Sequence, residues 1–333
     1  MTDTIEILPP IPFNPQNNTL ISQPQNTKAD ASSLILSKRQ QIDNNATFFA
    51  TFIDGSSFRN MIEYIRLPSI DGVFRFTKHK VLYEQGDKDN NILNVIELKT
   101  YELTDYDFQS QSEEVIVGVN LSEMRNICRN VGKKDHLDLY KLPGEPKSLY
   151  IRIRSQSEKG SESNVYVIPI TTTDYTIYTL PTYDREKNDP TCTIYQSDFS
   201  KLCKSLAVIK CTHTMVHGFK KGIIFKGILS SGAIGSVKEF GKCTNETTTN
   251  LKSIVPSIPG TILKASKPAP RLNIGEIGEI ERFRIDISII KYLQKINALS
   301  PTGTIKVYIE KKLPLKMVCN IGTFGKMSTY LMG

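Results

Sequence analysis

The residues best suited to chemistry in this chain sit in and beside HTMVH. His213 and His217 are four apart, and Cys211 lies two residues before the first of them. On a helix, two histidines at that spacing share a face, and with a glutamate directly after the first they make a zinc protease site. Here Thr214 follows His213, and the Thr, Met and Val between the histidines favour a strand and turn. A metal at these three residues is conceivable, but none is assigned. His79 and His136 stand alone. No G-x-x-x-x-G-K-[ST] loop and no dinucleotide-binding glycine run occurs, and the carboxylates are scattered without an acid–base pair. The pattern predicts neither an enzymatic centre nor a cofactor. The six cysteines contain no C-x-x-C pair, and Cys128 and Cys203 fall on apolar helix faces, as buried free thiols do in a reducing compartment.

The chemistry that remains is fixed positive charge. The chain has 42 Lys and Arg against 34 Asp and Glu, a formal net charge of +8. In SEMRNICRNVGKKD the apolar residues Met124, Ile127, Cys128 and Val131 recur at i, i+3, i+4 and i+7, one stripe of a short amphipathic helix with Ser122 as its expected N-cap. Arg125 and Arg129 are on this helix, and Lys133 and Lys134 follow it. The same quartet recurs as Phe58, Met61, Ile62 and Ile65, as Phe199, Leu202, Cys203 and Leu206, and as Ile289, Tyr292, Leu293 and Ile296. SEMRNICRNV and SDFSKLCKSL align without a gap. Four helices in one register predict a fourfold internal repeat. Opposite the stripes lie Arg129, then Lys201 and Lys204, then Lys291 and Lys295; Arg59 and Arg66 flank the first stripe, and Lys210 follows the third. Packed side by side on a sheet, these faces would form one cationic wall. Such a wall suits sequence-independent contact with phosphates, and the lack of interleaved aromatics argues against a stacking platform for single strands.

The elements that would position this wall are mostly strands. From Thr47 onward, TFFATFID, VFRF, ILNVIELKTYEL, EEVIVGV, HLDLYKL and SLYIRIR are rich in β-branched and aromatic residues. Residues 1–46 are polar and proline-punctuated and read as a disordered tail. Residues 169–190 read as an extended connector between two domains, 47–168 and 191–333, the second carrying a long insertion at 243–276. No apolar run is long enough to span a bilayer, and no signal-peptide core is evident at the start. The expected class is α+β, built from strand–helix–strand repeats.

Three stretches carry a family resemblance. The VGVNL strand runs into a basic helix, with Gly132 and Asp135 before the next strand. The second is DFSKLCKSL, and the third is the ending YLQKINALSPTGTIKVYIEKKLPLKMVCNIGTFGKMSTYL. Together they resemble the proliferating cell nuclear antigen (PCNA) sliding clamps over roughly residues 47–333, apart from the insertion. The resemblance implies a two-domain clamp fold and a homotrimeric ring, with helices inside and sheets outside. It implies duplex DNA as a partner, held by Arg59, Arg66, Arg125, Arg129, Lys133, Lys134, Lys201, Lys204, Lys210, Lys291 and Lys295. It further implies that DNA polymerase and other clamp-binding proteins dock in a groove under the connector. Ile177, Tyr178, Leu180 and Pro181 would form its roof, with Pro314, Tyr330 and Leu331 as its floor. Subunits would meet through Val165, Val167 and Ile168 on one edge and Ile234, Val237 and Phe240 on another. The compartment implied is the nucleus or a viral replication site in the cytoplasm.

The chain also departs from the family. EQGDKDN (84–90) stands where a Met-Asp-Ser stretch is usual, and the charge is basic rather than acidic. The tail and insertion are additions, and these departures describe a divergent clamp such as a large DNA virus would carry. Two other readings stay open at this point: a non-ring, clamp-like processivity factor that holds DNA by charge, and a nucleic-acid-processing enzyme with a dispersed site.

Overall fold

The structure, a computed structural model, describes residues 46–157, 160–171, 175–184, 189–243 and 279–332. The expected tail and insertion lie outside these residues, except for Ala46 and Cys243. The described elements fall into four β-α-β-β-β units. The first is β1 (Phe48–Phe52), α1 (Gly55–Ile65), β2 (Asp71–Thr77), β3 (Lys80–Gly86) and β4 (Ile92–Lys99). A short strand, β5 (Asp105–Phe108), precedes the second unit: β6 (Glu114–Asn120), α2 (Leu121–Cys128), β7 (His136–Lys141), β8 (Ser148–Ser157) and β9 (Gly160–Pro169). The third is β10 (Cys192–Tyr195), α3 (Gln196–Val208), β11 (His213–Phe219), β12 (Lys221–Ile228) and β13 (Ile234–Lys242). The fourth is β14 (Glu279–Asp286), α4 (Ile287–Leu293), β15 (Thr304–Tyr308), β16 (Leu315–Ile321) and β17 (Gly325–Leu331). The repeat expected from the helix quartets is therefore present at the level of whole units. The strands β3, β5, β10, β12 and β14 had no counterpart among the sequence expectations, and ILNVIELKTYEL leaves the strand at Lys99 for a 3-10 turn at Thr100–Glu102.

Units pair by exchanging their first strands. β1 joins β7, with β8 and β9 beyond it and β5 on its other side, while β6 joins β2, β3 and β4. The later units repeat the exchange, with β10 on β15-β16-β17 and β14 on β11-β12-β13. β4 and β17 then pair antiparallel, from Ile92 opposite Leu331 to Leu98 opposite Gly325, which fuses two sheets into one of eight strands.

The apolar quartets turn into one core as their spacing requires. Phe58, Met61, Ile62 and Ile65 are buried, as are Phe199, Leu202, Cys203 and Leu206, and Ile289, Tyr292, Leu293 and Ile296. Of the second quartet Met124, Cys128 and Val131 are buried and Ile127 is half-buried against the same core. The helices stand in one row: α2 against α1, α1 against the 3-10 turn Gln294–Ala298 that follows α4, and α4 against α3. The Tyr64 and Tyr292 rings meet at 4.4 Å in the middle of the row, an aromatic contact worth about 1 kcal/mol beyond its buried area. Gly55 is needed where α1 begins. A Cβ there would come within 2.7 Å of the Asp135 carbonyl oxygen, to which the Gly55 N–H donates.

The caps correct one expectation. Asn120, not Ser122, caps α2: its side-chain oxygen accepts from the N–H groups of Ser122 (2.9 Å) and Glu123 (3.1 Å). The strand β6 delivers Asn120 to the helix start with extended backbone, the conformation a cap needs. Ser122 lies inside the helix, and its hydroxyl accepts from Arg66 Nε at 3.2 Å. Asp54 caps α1 and accepts from the Ser57 N–H at 3.0 Å and from the hydroxyls of Ser56 and Ser57. Burial works to raise the Asp54 pKa, and these hydrogen bonds outweigh it and lower it. A carboxylate whose folded pKa lies below its unfolded value, about 3.9 for Asp, stabilises fully above that value and loses the contribution as pH falls through the folded pKa. Asp54→Ala should therefore lower stability by about 1 kcal/mol at neutral pH, and denaturant melts should show the difference shrinking toward pH 2.

Candidate functional site

The row of helices leaves one solvent-facing surface. Arg129, Lys201, Lys204, Lys291 and Lys295 are exposed on it, and Lys133, Lys134 and Lys210 are exposed in the turns that follow α2 and α3. Each lies opposite its helix's buried stripe or just past its end, as 100° per residue dictates. Lys201 makes an exposed ion pair with Asp198 at 3.2 Å; exposed pairs of this kind are weak and leave the ammonium free to exchange partners. Two of the cations expected on this wall have other work. Arg59 donates to the Val131 carbonyl at 2.6 Å and Arg66 to Ser122, so both tie α1 to α2. Arg125 is half-buried.

Among the described residues the three sheets leave six edge strands, and two of them, β9 and β13, form a second feature. Among the described residues, β9 pairs only with β8, and β13 only with β12. Val165 and Val167 on β9 are 51% and 53% exposed, and Ile234 and Val237 on β13 are 57% and 55% exposed. Ile168 does not share this surface: it is buried in the core, because neighbouring strand residues point to opposite faces. Phe240 is half-buried, its ring edge-on to Phe225 at 6.0 Å.

The third feature lies on the outer side of the β4–β17 seam. Leu93, Tyr308, Val318, Tyr330 and Tyr183 form a separate apolar cluster, with Tyr178, Leu180, Leu313 and Val95 packed around it. The connector crosses this cluster and is pinned there by two tyrosine hydroxyls and by the Asp184 N–H, which donates to Glu310 Oε2 at 3.3 Å. The Tyr183 hydroxyl donates to the Pro314 carbonyl at 2.6 Å. The Tyr178 hydroxyl accepts from the Gly86 N–H at 3.2 Å, a close approach: a Cβ on Gly86 would sit 3.0 Å from that oxygen, which would have to give by a few tenths of an ångström. Pro181 is half-buried and Ile177 exposed. Leu331 departs from expectation: it faces the core, whereas its neighbour Tyr330 faces the groove. Sequence reasoning missed Tyr183, Tyr308, Val318 and Lys316. The alternation in β16 held the signal, since Lys316 and Val318 must share a face with Pro314. Lys316 is buried with its Nζ 5.2 Å from the ring centres of both Tyr183 and Tyr330, and burial lowers its pKa to about 8.

Four repeated units, exchanged first strands and one row of helices define a clamp fold of two similar domains. No family model matches the chain, and no curated protein matches it. Among solved structures it is similar to the proliferating cellular nuclear antigen of Entamoeba histolytica at 11% identity and a TM-score of 0.63, covering 86% of this chain and 98% of that one. It is similar likewise to the PCNA2–PCNA3 complex of Sulfolobus tokodaii at 13% identity and a TM-score of 0.62, covering 85% of this chain and 98% of that one. The chain thus has the PCNA fold on a sequence that has diverged far from these two.

The residues that first suggested chemistry are occupied structurally. His217 Nδ1 lies 3.2 Å from Glu279 Oε1, and His213 Nδ1 lies 3.0 Å from the Thr212 hydroxyl. Among the described residues no cluster of three His, Cys, Asp or Glu could hold a metal ion. All six cysteines are free and buried. Burial raises every thiol pKa, to about 12 for Cys128, Cys192, Cys203 and Cys319. An aromatic disulfide reagent at pH 8 should therefore react slowly with the folded chain and quickly, at all six thiols, once the chain is unfolded in denaturant.

Proposed function

We propose that the protein is a DNA sliding clamp that acts by topology and scaffolding rather than by catalysis. Copies join edge to edge into a closed homotrimeric ring, duplex DNA passes along the helix-lined wall, and DNA polymerase and other replication and repair proteins dock at the groove outside. The names of the similar structures lead to the same reading.

The pair of open edges carries it. β4, β9, β13 and β17 are the last strands of the four units, and each stands in the same place in its own unit. Within the chain β4 and β17 pair with each other, whereas β9 and β13 have no second partner strand among the described residues. Two long edges with exposed Val and Ile invite association with another chain. Pairing β9 of one copy with β13 of the next repeats the internal seam, and because the two edges differ, the contact runs head to tail and closes when the rotation completes a circle. The row of helices then becomes the inner wall, and its exposed cations meet phosphates without reading bases. Ile168 remains in the core of each copy, and the contact falls to Val165, Val167, Ile234 and Val237. On this reading the chain works where replication occurs, in a nucleus or at a cytoplasmic viral replication site.

Light scattering should give three times the 37.5 kDa chain mass, and Val165→Asp with Val167→Asp should return the monomer without unfolding it. A strict monomer at micromolar concentration would overturn the ring. If that monomer also held short linear duplex tightly at low salt, the open, charge-based processivity factor would replace it. Arg129→Glu with Lys204→Glu should cut retention on closed circular DNA by about tenfold or more at ~0.1 M salt, with an unchanged melting temperature. Retention equal to that of the parent would remove those helix faces from the DNA contact.

A further inference from the structure

The row of helices has two ends, and the exposed cations gather there. α2 and α3 are the outermost helices of the row. Arg129, Lys133 and Lys134 are exposed on and after α2, and Lys201, Lys204 and Lys210 on and after α3. Glu123 and Asp198 are the exposed acids of these two helices. The middle of the row is poorer in free charge. α4 offers Lys291 and Lys295, whereas Arg59 and Arg66 are tied to α2 and Glu63 is half-buried on α1. Each end also borders one of the two edges with exposed Val and Ile. The Asn130 amide after α2 donates to the Tyr166 hydroxyl on β9 at 3.4 Å. Asp198, Lys201, Leu202 and Ser205 of α3 line an open groove with residues 236–240 of β13.

The β4–β17 seam shows what the helices do where two such edges meet. Asn60 Nδ2 donates across it to the Ala298 carbonyl at 2.8 Å. Asn60 stands two residues after Phe58, the head of its quartet, and Ala298 nine residues after Ile289, the head of its own. The same counts from Phe199 and Met124 reach Lys201 and Lys133. A β9–β13 junction that repeats the internal seam therefore sets a lysine of one copy against a lysine of the next, where the internal seam has a hydrogen bond. Two ammonium groups so placed repel.

We infer that each junction between copies is a composite phosphate site, Lys133 and its neighbours coming from one copy and Lys201 and its neighbours from the next, and that like charge opposes ring closure until duplex DNA occupies the ring. The inference rests on the ring named under Proposed function. It adds where on the wall the duplex is held and what the duplex does to the ring. One chain carries only half of each site, so tight binding requires the closed ring, and binding in turn favours closure. The free ring and the loaded ring then respond to salt in opposite directions. Screening relieves the repulsion in the free ring, because the Debye length falls from about 10 Å at 0.1 M salt to about 3 Å at 1 M. The same salt weakens the hold on the duplex.

Sedimentation velocity on the full chain, diluted through the range where monomer and trimer coexist, gives the strength of assembly. Without DNA, assembly should tighten by about tenfold between ~0.1 M and ~1 M sodium chloride. At the lower salt, a short linear duplex at about ten times its Kd should tighten assembly by about tenfold. Lys133→Gln with Lys201→Gln should tighten DNA-free assembly at low salt and reduce the effect of the duplex, with an unchanged melting temperature. Lys291→Gln with Lys295→Gln removes the same charge away from the junctions and should leave DNA-free assembly as in the parent. Two results would overturn the junction site while leaving the ring in place. One is DNA-free assembly that salt, or the Lys133 and Lys201 pair of substitutions, weakens or leaves unchanged. The other is an equal shift in both variants, or a duplex that does not tighten the parent. A monomer at every concentration and salt, with and without duplex, would overturn the ring itself and this inference with it.

Discussion

Everything that the molecule presents to its surroundings depends on the antiparallel pairing of β4 with β17. That ladder joins the sheets of the first and last units, and its register is policed from within. Asn94 and Thr329 stand opposite each other, both buried, with the Thr329 hydroxyl donating to Asn94 Oδ1 at 2.9 Å. A slip by one residue would turn both to the other face and leave each without its partner, at a cost of a few kcal/mol in polar desolvation. Directly beneath, Tyr64 of α1 meets Tyr292 of α4, so the register that satisfies Asn94 also brings the two helix pairs together. On the outer side the same register sets Leu93 beside Tyr330 and so makes the outer apolar cluster.

The seam also explains how one chain offers two kinds of surface. Strand exchange between units leaves each unit's last strand on an edge, and the β4–β17 pairing consumes two of those edges while β9 and β13 stay open. The helices turn every apolar stripe toward the sheets, so their cations can only face away from them. Charge gathers on the helix side, where Arg59 and Arg66 spend hydrogen bonds on holding α1 to α2. Aromatic side chains gather on the opposite side, around Lys316. Under the proposed function the two surfaces would obey different physics: contact at the first would weaken with salt, whereas contact at the second would depend on shape and on a few hydrogen bonds.

The PCNA fold at 11–13% identity follows from how little of it needs particular residues. The quartets need only apolar side chains at helical spacing, and the strands need only alternation. Phe58, Met124 and Ile289 head three quartets with different shapes, yet all are buried. Particular residues are required at close approaches, as at Gly55, where a Cβ would strike the Asp135 carbonyl.

Local periodicity in the sequence was enough to establish the four helices, their buried faces, the repeat and the cationic wall, because a helix declares its inner face within two turns. The fold class followed from those stripes among β-branched runs, and the docking and edge residues came through resemblance. Periodicity did not reach the cap at Asn120, which depends on where β6 ends, nor the strand β3, whose partners β2 and β4 flank it in sequence but whose apolar residues Val81, Leu82 and Tyr83 stand side by side rather than in alternation. Position along the chain suggested Ile168 for an edge and Leu331 for the groove, but strand alternation turns both into the core. Only tertiary structure put Tyr183 against Pro314, Lys316 and Tyr330, because these residues come from the connector and from two strands more than a hundred residues further on. Contacts of that range are set by sheet register and chain path, which no window of the sequence contains.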